Sequence, residues 1–420
     1  MTGNKLAIDL TEFKQGWRIV LLAMLGLAIN ANASMLYAFG TLVIPLQTAF
    51  GWARGDLQAA VSFLFAGAVV GSQLVGWLNQ RYGMKRVTHL SIISLSLCLA
   101  AMTQMGRSIA WLYLFFTLLP IASLGTMHVT WTHLVNLWFE RNRGLSLALV
   151  LSGTGLSAAL LPSSVAWAVQ RWGWQAAFLL LASLPVVLVL PLALRWMTVP
   201  TNAAPLPDGK RLAAAADGPP VPGLSFATGL RSARFWCLNI GLSLVVAAVV
   251  TMVANSVPLL RDKGLSATAA SAVFGSFGLS LIGGRVLVGY LVDRLWAPAV
   301  AAVALSLPAL GCVLLGITGP AETGALVLAT MLVGIGAGAE FDIAAYLVAR
   351  YFGMRDYGRL FGVHLGLITA AAALAPLLTG AVYKATGGYT AMLVMCGAAF
   401  VTGALLLLPL GRYPRFETAP

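Results

Sequence analysis

The sequence predicts an all-α integral membrane protein in which twelve transmembrane helices form two six-helix halves. Three observations lead to this fold class. Hydrophobic residues make up 59% of the 420 residues, and the mean hydropathy is +0.88, whereas soluble domains are roughly 45–50% apolar. Apolar runs of about 20 residues, long enough to cross a bilayer, recur along the whole chain. No alternating strand pattern competes with them, and a helix satisfies its own backbone groups in lipid.

The length criterion places twelve spans. They cover residues 17–45, 57–78, 87–105, 111–138, 145–169, 176–197, 235–260, 267–292, 299–317, 324–351, 360–383 and 390–410. The longest polar interruption is rich in Pro, Gly and Ala, which is typical of a flexible linker. The predicted organisation is therefore an N-terminal half (1–197), a linker (198–233) and a C-terminal half (234–420).

The basic residues are distributed unequally between the two sides of the membrane. Nineteen of the 26 Lys and Arg residues lie on the side that holds the N-terminus, six lie on the opposite side, and Arg285 lies within a span. Basic residues concentrate in cytoplasmic loops. We therefore expect both termini to be cytoplasmic in a multi-pass protein of the inner cell membrane. The net charge of +13 then reflects topology and does not indicate a nucleic-acid partner.

The sequence contains no pattern typical of an enzyme or a metal site. Its four cysteines lie in or beside apolar spans without metal-binding spacing and are expected to be small core residues. No nucleophile, base and oxyanion arrangement is recognisable, so we expect neither an enzyme nor a bound cofactor or metal.

The two halves carry similar motifs at corresponding positions. G-W-L-N-Q-R-Y-G-M-K-R follows the second span and G-Y-L-V-D-R-L-W follows the eighth. N-L-W-F-E-R-N-R-G-L-S-L-A after the fourth span likewise matches V-A-R-Y-F-G-M-R-D-Y-G-R-L-F-G after the tenth. Such repetition is typical of transporters built from two parallel repeats around a midplane site.

These motifs resemble those of the major facilitator superfamily. Residues 76–86 are similar to its loop signature after the second helix, although Gln80 replaces the usual acidic residue; Asp293 holds the equivalent position in the second half. Residues 37–54, the Gln15-Gly16-Trp17 entry and Arg285 in the eighth span resemble the monocarboxylate transporter and oxalate/formate antiporter branch. The resemblance implies alternating access and a small organic anion as substrate, most simply a monocarboxylate.

Three formally charged residues lie deep within the predicted spans: Arg285, Glu340 and Asp342. Each costs at least about 2.5–3.5 kcal/mol on insertion scales and should face a partner or a water-filled cavity. Both Arg285 and Asp342 lie about 12–14 Å inside the basic boundary of their spans, so an ion pair between them is possible. Glu340 and Asp342 are separated by about 200° around the helix. We expect Asp342 and Tyr346 to face the cavity and Glu340 to face a neighbouring helix.

Arg285 is the predicted anchor of the substrate carboxylate, because its planar fork binds carboxylates bidentately; a permanent ion pair is the alternative. Asp342 and Glu340 are the candidates for proton coupling. A protonated Asp342 would release Arg285 for the substrate. The remaining candidate substrate contacts could equally be hydrogen bonds between helices. They are Asn30, Asn32 and Tyr37 in the first span, His128 and Asn136 in the fourth, and Tyr346 in the tenth.

The sequence therefore predicts a monomeric secondary transporter of a small organic anion in the lipid bilayer, coupled to a proton or to a counter-anion. One alternative is an exporter of cationic or amphipathic drugs, in which the acidic residues of the tenth span would attract the substrate. A membrane receptor is a weaker alternative, since the linker of about 35 residues is short for a cytoplasmic signalling domain.

Overall fold

The computed structural model describes residues 10–139, 143–198, 223–292, 294–353 and 355–414. Within these ranges the chain is almost entirely helical, and its one β contact is an isolated bridge between Gly223 and Gly353. The α-helices are α1 (Leu10–Ala28), α2 (Ala31–Phe50), α3 (Arg54–Tyr82), α4 (Met84–Ala101), α5 (Ala110–Ala122), α6 (His128–Trp138), α7 (Arg143–Leu151), α8 (Gly153–Trp172), α9 (Trp174–Leu184), α10 (Leu190–Trp196), α11 (Phe226–Arg231), α12 (Ala233–Asp262), α13 (Ala267–Val292), α14 (Ala297–Ile317), α15 (Thr323–Phe352), α16 (Tyr357–Thr386) and α17 (Thr390–Leu405).

Helical residues occupy all twelve predicted spans. Among the described residues, ten segments are long and apolar enough to cross a membrane. The remaining two are α3, which carries buried polar side chains such as Gln58 and Ser62, and the fourth span, which is divided. The twelve-span prediction is confirmed in number and order, but several spans are not the continuous helices that hydropathy predicts.

The first span is broken in its middle, between α1 and α2. Asn30 adopts an extended conformation, its side chain accepts a hydrogen bond from Ala33 N at 3.0 Å, and its Nδ2 donates to Leu27 O at 2.6 Å. Asn is among the strongest N-cap residues because its side chain replaces a missing backbone partner. The carbonyl of Ala28 accepts a hydrogen bond from Ser157 on α8. The break is therefore satisfied from within the protein, as the hydrocarbon environment requires.

The fourth span is broken between α5 and α6 by a short 3-10 turn, Leu124–Thr126. Gly125 packs so closely on α4 that an added Cβ would lie 2.8 Å from Thr88 N. The backbone of Gly125 is satisfied by two α4 side chains, since Gly125 N donates to Ser91 Oγ at 2.9 Å and Thr88 Oγ1 donates to Gly125 O at 3.0 Å. The fifth and sixth spans are also divided, the latter by a π-helical turn at Pro185–Val189, where proline lacks the backbone donor.

Most of the predicted linker lies outside the described residues, but its final part is ordered. Leu224 N donates to Phe352 O and Phe226 N donates to Asp356 Oδ2, both at 2.8 Å. Ser225 caps the short helix α11, and the Arg359 guanidinium lies 4.2 Å from the Phe226 ring centroid. Residues 224–226, at the end of the predicted linker, are therefore held by the end of α15, by the loop that follows it and by the start of α16.

The two halves meet along a seam of close backbone contacts. On α13, Gly278 lies against α8, where an added Cβ would come 2.8 Å from the backbone carbon of Ala158. Gly55 of α3 and Gly380 of α16 approach equally closely, since a Cβ on either would lie 2.8 Å from the carbonyl oxygen of the other. Small residues permit such close helix packing in membranes.

The described contacts across this seam run from the side opposite the N-terminus to about half the depth of the bundle. Thr41 on α2 contacts Ser271 on α13 at 3.4 Å, and Gln58 on α3 donates a hydrogen bond to Asn255 on α12. Deeper in the bundle, Asp342 is 34% exposed.

The close packing at the seam predicts that a larger residue at Gly278 destabilises the protein. Replacing Gly278 with Ala should cost about 1–3 kcal/mol of stability, because the methyl group meets backbone atoms that cannot rotate away. Thermal unfolding of the purified protein in detergent measures the effect. Gly283→Ala on the same helix is the matched control, since its Cβ meets nothing within 4 Å. Equal melting temperatures for the two variants would contradict the packing described for the seam.

Candidate functional site

A partly buried ion pair connects α13 and α15 near the middle of the bundle. Arg285 Nε lies 3.2 Å from Asp342 Oδ2, with the Arg285 side chain 9% exposed and that of Asp342 34% exposed. One and two helix turns before Asp342, Gly338 and Gly334 allow α15 to pack directly on α13, and a Cβ on Gly338 would lie 3.0 Å from Arg285 N. The glycines of the G-I-G-A-G-A-E-F-D segment thus bring the carboxylate within reach of the guanidinium.

Glu340 lies in the same cluster but in a different environment. It is 7% exposed, and it interacts electrostatically with Arg285. Gly336, one turn earlier, packs against Pro308 of α14, which agrees with the expectation that this face of α15 contacts a neighbouring helix. The two carboxylates therefore differ in exposure, and Asp342 is the one for which the structure describes an ion pair with Arg285.

The N-terminal half contributes two side chains to this cluster. Tyr37 on α2 interacts electrostatically with both Glu340 and Arg285, and its ring centroid lies 6.0 Å from that of Phe277 on α13. His128, at the start of α6, is exposed and interacts electrostatically with Arg285. We call Tyr37, His128, Arg285, Glu340 and Asp342 the central charge cluster. It combines five residues from both halves, all of them predicted from the sequence.

Two helices of the N-terminal half begin within predicted spans. The breaks described above start α2 at Ala31 and α6 at His128. Each helix start leaves backbone N–H groups without an intrahelical acceptor and carries a partial positive charge. Half-helix N-termini near the midplane of transporters point at anionic groups of their substrates. Together with Arg285 they make the centre of the bundle suitable for an anion.

The other residues that the sequence predicts to contact the substrate lie in different surroundings. Asn30 uses both polar ends of its amide at the helix break, so it supports the backbone instead of offering a free group. Asn32 Oδ1 is buried without a hydrogen-bond partner among the described atoms. Tyr346 is half-buried one turn beyond Asp342. The side chain of Asn136 lies outside what the structure describes, as do those of Gln80 and Asp293.

A second polar set joins the halves on the side opposite the N-terminus. Arg54 forms an ion pair with Asp262, and Lys384 forms one with Asp56. The Arg54 guanidinium also donates to the hydroxyl of Tyr383 at 3.1 Å. We call the four charged residues the opposite-side latch. The sequence places Arg54 and Lys384 on this side but does not identify their partners. The signal that could have found the partners is an acidic residue near the end of each neighbouring helix: Asp262 at the end of α12 and Asp56 at the start of α3.

The described residues contain no group of three or more His, Cys, Asp or Glu side chains that could hold a metal ion. The charges at the centre belong to a small ionic cluster of Arg285, Glu340 and Asp342.

Comparisons with known proteins agree with this architecture. The sequence is similar to monocarboxylate transporter 13 of Bos taurus, with 26% identity over 95% of this chain and 90% of the relative. It is 26% identical to a gallate transporter of Pseudomonas putida over 96% of this chain and 93% of that protein. A gentisate transporter of Corynebacterium glutamicum is 25% identical over 89% of this chain and 83% of its own length.

Solved structures share the fold at lower sequence identity. The crystal structure of a D-xylose-proton symporter superimposes with a TM-score of 0.71 at 16% identity, covering 96% of this chain and 99% of the other. The profile of the Major Facilitator Superfamily matches residues 23–333 and 242–419, nearly the whole sequence. The chain is therefore a member of the Major Facilitator Superfamily, a multi-pass membrane transporter and not an enzyme.

Proposed function

We propose that this transporter moves a small organic anion, most simply a monocarboxylate, by alternating access of its two halves. One observation carries the proposal: the Arg285 guanidinium is buried between the halves, and its Nη1 has no hydrogen-bond partner among the described groups. A buried cationic donor requires an acceptor. A carboxylate fits best, because its two oxygens match the fork of the guanidinium.

The surroundings of Arg285 favour an anion over a cation. The N-termini of α2 and α6 add partial positive charge from the N-terminal half. The nearest carboxylate, Asp342, is already paired with Arg285, so a cationic drug would meet an unpartnered donor and a neutralised acid. The relatives support the same choice, since gallate and gentisate are aromatic carboxylate anions and other relatives are monocarboxylate transporters. The drug-exporter alternative is therefore not favoured.

Asp342 is the carboxylate that we assign to proton coupling. It competes with a substrate carboxylate for Arg285, and its exposure gives it access to water. Protonation neutralises Asp342 and weakens its attraction to Arg285, which leaves the guanidinium to the substrate. Proton and anion then bind together, which constitutes symport. Glu340 is the second candidate, but it is only 7% exposed and forms no ion pair with a residue that the structure describes.

The orientation follows from the excess of Lys and Arg on the N-terminal side, which places this side at the cytoplasmic face of the inner cell membrane. With this orientation the opposite-side latch lies at the outer face, and we assign the protein to an inward-facing state, in which the partly exposed Asp342 is reached from the cytoplasm. Transport then requires the latch to separate while the N-terminal sides of the halves come together.

Replacement of Arg285 tests the proposed anion site. Arg285→Gln should abolish uptake of carboxylates into proteoliposomes, and Arg285→Lys should retain only a small fraction, because lysine keeps the charge but loses the bidentate fork. Arg171→Gln, at the outer end of α8, is the control and should transport normally. Uptake in Arg285→Gln that equals the control would exclude the carboxylate role.

Replacement of Asp342 tests proton coupling. The wild-type rate should rise as the pH falls, because protonation of Asp342 frees Arg285 for the substrate. Asp342→Asn should bind substrate equally well at acidic and alkaline pH, since a neutral amide no longer competes for the guanidinium. Isotope counterflow and equilibrium binding at both pH values measure this difference. If Glu340→Gln removes the pH dependence and Asp342→Asn does not, the assignment to Asp342 is wrong.

Charge reversal tests the opposite-side latch. Arg54→Asp or Asp262→Arg alone places like charges together and should shift the protein toward the outward-facing state. A cysteine introduced at Thr41, buried at the seam, should then react faster with a membrane-impermeant maleimide from outside. The double variant restores an ion pair and should return the reaction rate to the level of Thr41→Cys alone. A double variant as reactive as the single variants would show that the pair does not hold the outer face closed.

A further inference from the structure

A cavity of about 570 Å³ lies between the two halves on the side opposite the N-terminus. Small-molecule sites typically have volumes of roughly 300–1,000 Å³. The described residues that line the cavity come from the ends of α2, α8 and α12 and from the starts of α9 and α13. Both halves therefore form its walls. We call it the outer cavity.

The outer cavity ends at the seam between the halves. Thr41 of α2 lines the cavity, is buried, and contacts Ser271 of α13 at 3.4 Å. Tyr37, one helix turn deeper on α2, belongs to the central charge cluster and is not among the described lining residues. The outer cavity is therefore separate from the proposed carboxylate site at Arg285.

The exposed part of the lining is small or polar, which favours a ligand that enters from water. It consists of Thr48, Ala49, Gln170 and Ser266. The apolar groove between α12 and α16 differs in this respect, because large hydrophobic side chains such as Trp236 and Leu378 are exposed along it. That groove has the character of a surface facing lipid, whereas the outer cavity does not.

Arg261 gives the outer cavity a positive charge. It is partly buried at the end of α12, and it is the one charged side chain among the described lining residues. The adjacent carboxylate, Asp262, is paired with Arg54, and the structure describes no ion pair for Arg261 itself. The starts of α9 and α13, at Trp174 and Ala267, also line the cavity and add partial positive charge to that of Arg261. The outer cavity therefore favours an anion.

Trp174 supplies an aromatic wall that its neighbours hold in place. Its ring centroid lies 5.1 Å from that of Phe50 and 6.1 Å from that of Phe178. Ile44 and Pro45 of α2 extend the apolar part of the lining. A fixed aromatic ring offers a large contact area to a planar ligand at little cost in side-chain entropy. The lining thus suits a ligand with an aromatic body and an anionic group.

We propose that the outer cavity is a regulatory site for aromatic organic anions, in which Arg261 binds the anionic group and Trp174 packs against the ring. Such a ligand contacts the C-terminal half through Arg261 and the N-terminal half through Trp174. A ligand stabilises the state to which it binds more tightly. The bound anion therefore holds the outer face closed and slows transport through the centre. This effect rests on the proposed alternation of the two halves.

Binding of naphthalene-2-sulfonate tests the site. Its affinity for the purified full-length protein is measured by calorimetry and compared with that of naphthalene-2-sulfonamide, which has the same ring and no charge. The sulfonate should bind at least about tenfold more tightly, because it alone forms charge-assisted hydrogen bonds with Arg261. Arg285→Gln should retain this binding, since Arg285 is not among the lining residues.

Two variants, one in each half, connect binding to both walls. Arg261→Gln should weaken binding of the sulfonate at least about tenfold. Ala49→Phe, at an exposed position of α2, should weaken it as well, because the larger side chain fills the cavity. Arg171→Gln is the matched control, since it removes an exposed positive charge at the end of α8 that does not line the cavity, and it should bind as wild type does. Melting temperatures without ligand establish that each variant is folded.

Transport measures the effect on alternation. Naphthalene-2-sulfonate should lower the maximal rate of Arg285-dependent carboxylate uptake into proteoliposomes, and a higher concentration of carboxylate should not restore the rate. The inhibition should be lost in Arg261→Gln and kept in Arg171→Gln. Full recovery of the rate with excess carboxylate would show competition at the central site and would exclude the regulatory role.

The outcomes separate the outer cavity from the proposed function. If the sulfonate and the sulfonamide bind equally, or if Arg261→Gln and Ala49→Phe both bind the sulfonate as wild type does, the outer site is excluded while carboxylate transport stands. If the sulfonate binds as expected and uptake is unaffected, the regulatory role is overturned. If no carboxylate shows Arg285-dependent uptake, the proposed function is wrong, and the binding measurements still decide whether the outer site exists.

Discussion

The cost of keeping one guanidinium inside the bilayer is the constraint on which the centre of this protein depends. An arginine at this depth is tolerated only with partners or water, and Arg285 has Asp342 as a partner at 3.2 Å. The backbone is arranged around that need. Gly334 and Gly338 let α15 approach α13 until the ion pair can form, and a bulkier residue at either position would separate the helices.

Because a buried charge is costly, the two halves contribute different kinds of charge to the centre. The C-terminal half holds the formal charges, whereas the N-terminal half contributes partial charges through the starts of α2 and α6. Those starts exist because Asn30 caps one helix and the Gly125 turn is satisfied by Thr88 and Ser91. Partial charges on a rigid backbone cost less to bury than a second arginine would. The proposed anion between the halves would thus be attracted by both, while the described formal charges at the centre, Arg285, Glu340 and Asp342, belong to the C-terminal half.

The sequence predicted the spans and the charged centre, but not the breaks or the latch. Apolar runs determine where a helix crosses the membrane, and the equal depth of Arg285 and Asp342 made their pairing predictable from counting alone. A hydropathy window averages over Asn30 and Gly125, so it cannot detect a single extended residue within an apolar run. Arg54 and Asp262 are 208 residues apart, and only the folded arrangement of the halves brings them together. Tyr37 and His128 were among several equivalent polar residues, and the packing of α2 and α6 distinguishes them.

The location of the inter-half contacts also bears on how the transporter can move. Exposed ion pairs such as those of the opposite-side latch contribute little energy each, about 0–1 kcal/mol, and can break without a large barrier. The close glycine contacts between α8 and α13 lie deeper and involve backbone atoms on both sides, so they resist separation. A rocking motion about this deeper contact would open the latch and close the N-terminal side while leaving the central charge cluster in place. The outer face also holds the close backbone contact between Gly55 and Gly380, so alternating access has to separate these two glycines as well as the ion pairs of the latch.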